Sequence, residues 1–214
     1  MSGSGDNMNT VVILSACPVS EKMKEYIPQG AYLIACDAGY RNAQKLGLVP
    51  DLVVGDFDSA PQPQEKNLVV LPHEKDDTDT QYAARLALER KAESVIILGG
   101  LGGTRLEHTL ANLATGLWLE KQGVSTVLAN EESRIHFLIP GKDLMLSRED
   151  SKYLSLLPLE GEMTGVDIQG AYYPLENARL TSDYPLGVSN EFASEKVTLR
   201  CRKGGGAVIL TNTD

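Results

Sequence analysis

Short apolar runs recur through the first 130 residues, at 11–14, 32–36, 52–54, 68–71, 95–98 and 126–128. They are continuous rather than alternating, which suits strands buried on both faces of a parallel sheet covered by helices. The segments between them include strong helix patterns. One spans 78–91, opens with the capping box Thr78-x-x-Gln81 and is rich in Ala, Leu and Arg. Another spans 105–122 and ends at Gly123, a residue suited to the left-handed turn that stops a helix. Repeated strand–helix units predict a doubly wound α/β fold, a mostly parallel sheet with helices on both faces.

After Ile139-Pro140-Gly141 the pattern changes. Strand-like stretches now recur every 8–12 residues, with turn-forming residues between them: 153–157, 163–168, 196–201 and 207–210. Residues 196–201 alternate polar and apolar, as a half-buried antiparallel strand does. The expected organisation is therefore an α/β domain over 10–139 and an all-β sandwich or barrel over 140–214. The polar stretch 1–9 is expected to be disordered or a cloning remnant.

Composition narrows the classes. Of 214 residues, 42% are hydrophobic and 23% charged, which fits a folded globular chain. No apolar run approaches the ~20 residues that span a bilayer, and no secretory leader is visible, so a cytoplasmic, membrane-free protein is expected. The net charge of −9 offers no basic stripe for nucleic acid. Cys17, Cys36 and Cys201 are odd in number and widely spaced, which excludes a disulfide framework and fits no zinc site. Each is expected to be a small buried apolar residue.

Acidic residues supply the candidate chemistry. The run 52–54 leads directly into Gly55-Asp56-Phe57-Asp58-Ser59. Side chains two apart on extended backbone point the same way, so both carboxylates are expected to converge. At ~4 Å two such charges repel by roughly 4 kcal/mol at an effective dielectric near 20, a cost that a cation between them removes. Oxygen-only ligands suit Mg²⁺. An Asp-rich turn capping a helix is the plainer account of one such cluster. Asp37, after the run 32–36, and Lys75-Asp76-Asp77-Thr78-Asp79, after 68–71, bring further acids to strand ends. Three strands of one sheet then present carboxylates at the edge where α/β folds bind ligands.

The segment Gly99-Gly100-Leu101-Gly102-Gly103-Thr104-Arg105 follows a strand and opens a helix. It matches neither the dinucleotide fingerprint nor the P-loop. Its glycines let backbone N–H groups approach a phosphate, and Arg105 adds a fork of donors. Arg105, His108 and Asn112 are expected on one helical face, though a lone histidine such as His108 is more often structural than catalytic. Acids for metal and a cradle for polyphosphate together describe phosphoryl or pyrophosphoryl transfer. A metal-dependent phosphohydrolase, a pyrophosphokinase for another alcohol and a non-catalytic nucleotide-binding module share these parts.

The ordered set Asp37-Ala38-Gly39, Gly55-Asp56-Phe57-Asp58-Ser59, Asp76-Asp77-Thr78-Asp79, the glycine segment with Arg105 and His108, 170–175 and Val188-Ser189-Asn190-Glu191 resembles the thiamine pyrophosphokinase family. Tyr40 and Arg41 stand where that family often has Ala and Asn, and Glu107 where it often has Asp. The resemblance implies Mg²⁺-dependent transfer of pyrophosphate from ATP to the hydroxyl of thiamine, giving thiamine pyrophosphate and AMP. It implies a homodimer, with thiamine at the subunit interface. Catalytic roles would fall to Asp37, Asp56, Asp58 and Asp79, with Mg²⁺ held by Asp56, Asp58 and Asp79. Asp76, Thr78, Gly100, Gly102, Gly103, Arg105 and His108 would contact ATP. Glu107, Tyr173, Ser189 and Asn190 would bind thiamine, Tyr173 by stacking on its flat cationic ring. The proton of the thiamine hydroxyl would pass to Asp37 or Asp79; the residues do not decide which.

Overall fold

The six apolar runs become six parallel strands. A computed structural model of the chain describes residues 9–56, 68–70, 77–149 and 151–212. These form two compact units, Met1–Thr115 with Gln122–Glu131, and Gly116–Lys121 with Glu132–Asp214.

The first unit holds β1 (Thr10–Leu14), β2 (Tyr32–Cys36), β3 (Leu52–Gly55), β4 (Leu68–Val70), β5 (Ser94–Leu98) and β6 (Ser125–Ala129). Their order is β6-β5-β1-β2-β3-β4, with parallel pairing throughout. All five residues of β1 are buried, the consequence of a central position with both faces covered. Each of Val11, Val12, Ile13 and Leu14 is fully buried and contributes about 2 kcal/mol of apolar transfer. The edge strand β4 is short and partly exposed. The order reverses at β1: β2, β3 and β4 extend to one side, β5 and β6 to the other.

Three α-helices accompany these strands: α1 (Gly39–Lys45), α2 (Asp79–Glu89) and α3 (Leu106–Lys121), with a 3-10 helix at Glu21–Tyr26. Thr78 caps α2, its hydroxyl accepting from the Gln81 N–H at 3.1 Å, as the capping box predicts. Ala83, Ala84 and Ala87 form the buried face of α2, small enough for the helix to lie close to the sheet. Gly123 stops the segment after α3 at φ +86°. Among the described residues no helix is long and apolar enough to cross a membrane.

The second unit holds β7 (Ser133–Leu138), β8 (Leu144–Ser147), β9 (Tyr153–Pro158), β10 (Glu162–Gln169), β11 (Leu175–Thr181), β12 (Asn190–Glu191), β13 (Lys196–Arg200) and β14 (Gly206–Thr211). They pair antiparallel in the orders β12-β9-β14-β7 and β11-β10-β13-β8. Leu138, Leu154, Leu156, Val208 and Leu210 from one set pack with Met163, Val166, Ile168, Val197 and Leu199 from the other. Two sheets sharing a core in this way make a sandwich. Because β7 pairs with β14, this unit begins at Glu132, ahead of the change in sequence texture near residue 140.

Candidate active site

The strand order reverses between β1 and β5, and open α/β sheets bind ligands outside the carboxyl ends of the strands at such a reversal. The chain leaving β1 is tied to the chain leaving β5. Ser15 N–H donates to Leu98 O at 2.8 Å, and Cys17 N–H to Gly99 O at 2.9 Å. Buried Asn42, on α1, donates its amide to the carbonyls of Ser15 at 2.7 Å and Cys17 at 2.8 Å. Gly99 has φ +69°, and a Cβ there would lie 2.6 Å from Ser15 O. Only glycine serves both the left-handed backbone and this close approach.

The rest of the glycine loop is held by side chains. Asn112 is buried on α3 and donates to Gly100 O at 2.8 Å. The Thr109 hydroxyl accepts from Gly102 N–H at 3.1 Å and lies 3.2 Å from Gly102 O as a donor. The Cys17 thiol donates to the same carbonyl at 3.1 Å. These bonds orient the loop's peptides at the start of α3, where the helix dipole favours an anion. Gly102 and Gly103, at φ +89° and +77°, lie on the exposed part of the loop.

Cys17 thus departs from expectation. Cys36 and Cys201 are buried, but Cys17 is only half-buried and hydrogen-bonds to the glycine loop. Partial burial raises its thiol pKa, so it acts as a neutral hydrogen-bond donor.

The acidic residues gather at the same edge through their backbones. Asp37 follows β2 with φ +42°, in the left-handed region that costs a non-glycine residue about 1–3 kcal/mol. Its N–H donates to Val54 O at 2.7 Å, and a Cβ on Gly55 would lie 3.2 Å from its own Cβ, so Asp37 lies against Gly55, the residue before Asp56. The Cys36 thiol reaches Asp79 O at 3.6 Å, bringing the first residue of α2 to the end of β2. The hydroxyls of Ser15 and Thr80 meet at 2.9 Å, bringing the second residue to the end of β1. Asp77 has a structural role: it pairs with Arg85 of α2 at 3.0 Å. Asp58 and Asp76 lie outside the described residues, so the expected convergence of Asp56 with Asp58 is not on view.

Among the described residues no three His, Cys, Asp or Glu side chains gather into a metal-holding group. The donors at this edge are carboxylate oxygens. Mg²⁺ commonly takes only one or two carboxylates, completing its shell with water and substrate phosphate, so these residues fit it.

One expectation changes in detail. Arg105 precedes α3 rather than sharing its face with His108 and Asn112. Its Nε donates to Glu107 Oε1 at 2.8 Å, with both side chains exposed. That hydrogen bond holds the Glu107 carboxyl below the usual carboxylate range. Arg105 and Glu107, expected on phosphate and thiamine, engage each other here, with His108 adjoining.

In the second unit Tyr173 is exposed and meets the Tyr172 ring edge-on, centroids 5.0 Å apart. Ser189 is left-handed at φ +59°, and its N–H donates to the Ser155 hydroxyl at 3.0 Å. Asn190 is buried, its amide bonded to the Tyr173 backbone.

Sequence reasoning did not single out Ser15, Cys17, Asn42, Thr80 or Thr109 as parts of the site. Ser15 had a usable signal: it is the first polar residue after a buried run at a strand's carboxyl end. Asn42 had none, because its bonds reach across 25 and 27 residues.

Residues 23–128 match the family model described as thiamin pyrophosphokinase, catalytic domain, and residues 143–204 the one described as thiamin pyrophosphokinase, vitamin B1 binding domain. The chain is 27% identical to a thiamine pyrophosphokinase of Bacillus subtilis, over 97% of this chain and 100% of that one. The crystal structure of thiamine pyrophosphokinase from Bacillus subtilis is similar at a TM-score of 0.85 and 26% identity, covering 96% of this chain and 100% of that one. A thiamin pyrophosphokinase family protein from Enterococcus faecalis is similar at 0.78 and 29%, again over 96% and 100%. Thiamin pyrophosphokinase from Candida albicans, at 16% identity, shares the fold with a TM-score of 0.77 over 95% of this chain and 89% of its own.

Proposed function

The chain belongs to the thiamin pyrophosphokinase family and is a transferase, and we propose that it moves the terminal pyrophosphate of ATP onto the hydroxyl of thiamine with Mg²⁺ as cofactor. The products are thiamine pyrophosphate and AMP. The observation that carries this assignment is the meeting of Asp37, Asp56, Asp79 and the glycine loop at one carboxyl edge, around the reversal of strand order. A chain of net charge −9 needs local donors to hold a polyanion.

The glycine loop supplies those donors. Its carbonyls at Gly99, Gly100 and Gly102 are occupied by protein donors, which fixes the direction of its peptides. Gly103 and the start of α3 then bind phosphate through backbone N–H groups, Gly102 supplying the left-handed turn that presents them, with Thr78 and Asp76 as further ATP contacts. Arg105 exchanges Glu107 for a phosphate oxygen when nucleotide binds, and His108 stands beside that exchange. Asp56, Asp58 and Asp79 would hold Mg²⁺, which supplies neutralisation of the phosphate charge.

The thiamine hydroxyl oxygen forms a bond to the β-phosphorus in line with the bond from that phosphorus to the α-phosphate oxygen. That second bond breaks, and its electron pair leaves on AMP. The hydroxyl proton passes to a carboxylate at the strand edge, Asp37 or Asp79. A loose transition state asks little of this base, so positioning does most of the work. Tyr173 stacks on the cationic vitamin, and Glu107, Ser189 and Asn190 belong to the surroundings of that site. The working form is a cytoplasmic homodimer with thiamine at the subunit interface.

Incubation of the protein with Mg²⁺, ATP and thiamine tests the assignment. AMP formed in equal amount to thiamine pyrophosphate is the expected result. Free phosphate released without thiamine identifies a hydrolase instead, and nucleotide binding without turnover identifies a binding module. Light scattering tests the dimer, which a fully active monomer would contradict.

A further inference from the structure

We infer that Asn190 is a positioning residue that acts on thiamine through the ring of Tyr173, without touching the vitamin itself; this rests on the stacking role proposed for Tyr173. Asn190 opens β12 and is 6% exposed. Its Oδ1 accepts from Tyr173 N–H at 2.9 Å and from Glu191 N–H at 2.9 Å. Its Nδ2 donates to Tyr173 O at 2.7 Å. The side-chain amide therefore pairs with both polar groups of Tyr173 as a neighbouring strand would. Both lone pairs of Oδ1 and one N–H are spent on backbone, which leaves little of a buried amide for a ligand.

Tyr173 shows the complementary pattern. Its backbone is clamped, while the residue is 62% exposed and its ring is braced edge-on by Tyr172. Tyr172 N–H in turn donates to Glu191 O at 2.8 Å, so both tyrosines hang from β12. Upstream, the left-handed turn at Ser189 and its bond to Ser155 direct the chain into β12. An exposed ring on a free loop must be ordered when a ligand stacks on it. A ring on a pinned peptide has that cost removed in advance.

Steady-state kinetics of the whole protein test this with Asn190→Asp, Tyr173→Ala and the double variant. Asn190→Asp keeps the shape and an acceptor at Oδ1 but sets an oxygen against Tyr173 O. We expect it to raise the thiamine KM about fivefold, as loss of one buried hydrogen bond does, with the ATP KM unmoved. Tyr173→Ala is expected to raise the thiamine KM about tenfold. The double variant should match Tyr173→Ala alone, because Asn190 has nothing left to position. If the two single effects multiply, Asn190 meets thiamine directly and the inference is overturned; a parallel rise in the ATP KM overturns it as well. If Tyr173→Ala leaves the thiamine KM unchanged, the stacking role fails, and the positioning role with it. Should Asn190→Asp not fold, Asn190→Gln, which keeps the amide on a longer stem, carries the same coupling test.

Discussion

The candidate sites proposed in the two units are built from opposite materials. In the first, the candidate site is largely backbone: the loop Gly99–Gly103, the left-handed Asp37 and the first turns of α2 and α3, all brought to one edge by parallel strands. In the second, it is one exposed aromatic ring whose place is set by a buried amide and a neighbouring strand. A parallel sheet gathers groups at its carboxyl edge wherever they lie in sequence. A sandwich has no such common edge, and each exposed side chain needs its own support.

If that contrast is right, removing an acid at the shared edge has the largest effect. Asp56→Asn is expected to lower turnover by about 100-fold or more, the scale of losing one group that stabilises developing charge. The fold should survive, and AMP formation measures the effect. Near-normal turnover would falsify the placement of the reaction at this edge.

Acid should separate the units next. His136, on β7, has a pKa lowered to about 4, mainly by burial, with Arg134 adding to the effect and Glu149 opposing it. Its folded value lies below its unfolded one, so the stability it contributes is present above pH ~6.5 and is lost as pH falls toward 4, by roughly 3 kcal/mol at most. Trp118, the single tryptophan of the chain, belongs to the same unit, so denaturant unfolding followed by its emission at pH 7 and pH 5 reads the change. His136→Gln should flatten the difference; a difference that persists would place the acid sensitivity elsewhere.

A matched pair of glycines sharpens the contrast. A Cβ on Gly99 would lie 2.6 Å from Ser15 O, and one on Gly170, at φ +84°, would lie 2.3 Å from Lys196 O. Alanine at either should cost about 1–3 kcal/mol of stability. Gly99→Ala is expected to raise the ATP KM, and Gly170→Ala, three residues before Tyr173, the thiamine KM. Both constants moving together in either variant would break the division of labour. The smallest effect expected is that of Tyr173→Phe. It keeps the ring and should shift the thiamine KM less than about twofold, since stacking needs the face and not the hydroxyl.

What was legible followed from local rules. The apolar runs became β1 to β6, the box at Thr78 and Gln81 capped α2, and Gly123 closed the segment after α3, because burial periodicity and capping act within a few residues. Illegible were bonds whose partners are distant in sequence, such as Ser15 with Thr80 across 65 residues and Asn190 with Tyr173 across 17. Arg105 and Glu107 are two residues apart and pair with each other at the surface, a contact that the spacing permits but does not require.

The residue order alone was enough for a parallel sheet with acids and glycines at its strand ends, because each strand–helix crossover returns the chain in the same direction and delivers every carboxyl end to one edge. It could not say that β1 and β5 would be neighbours, that Cys17, Asn42 and Thr109 would fasten the loop, or that Asn190 would hold Tyr173. Those pairings depend on which strands lie side by side, a choice made by packing the whole chain at once.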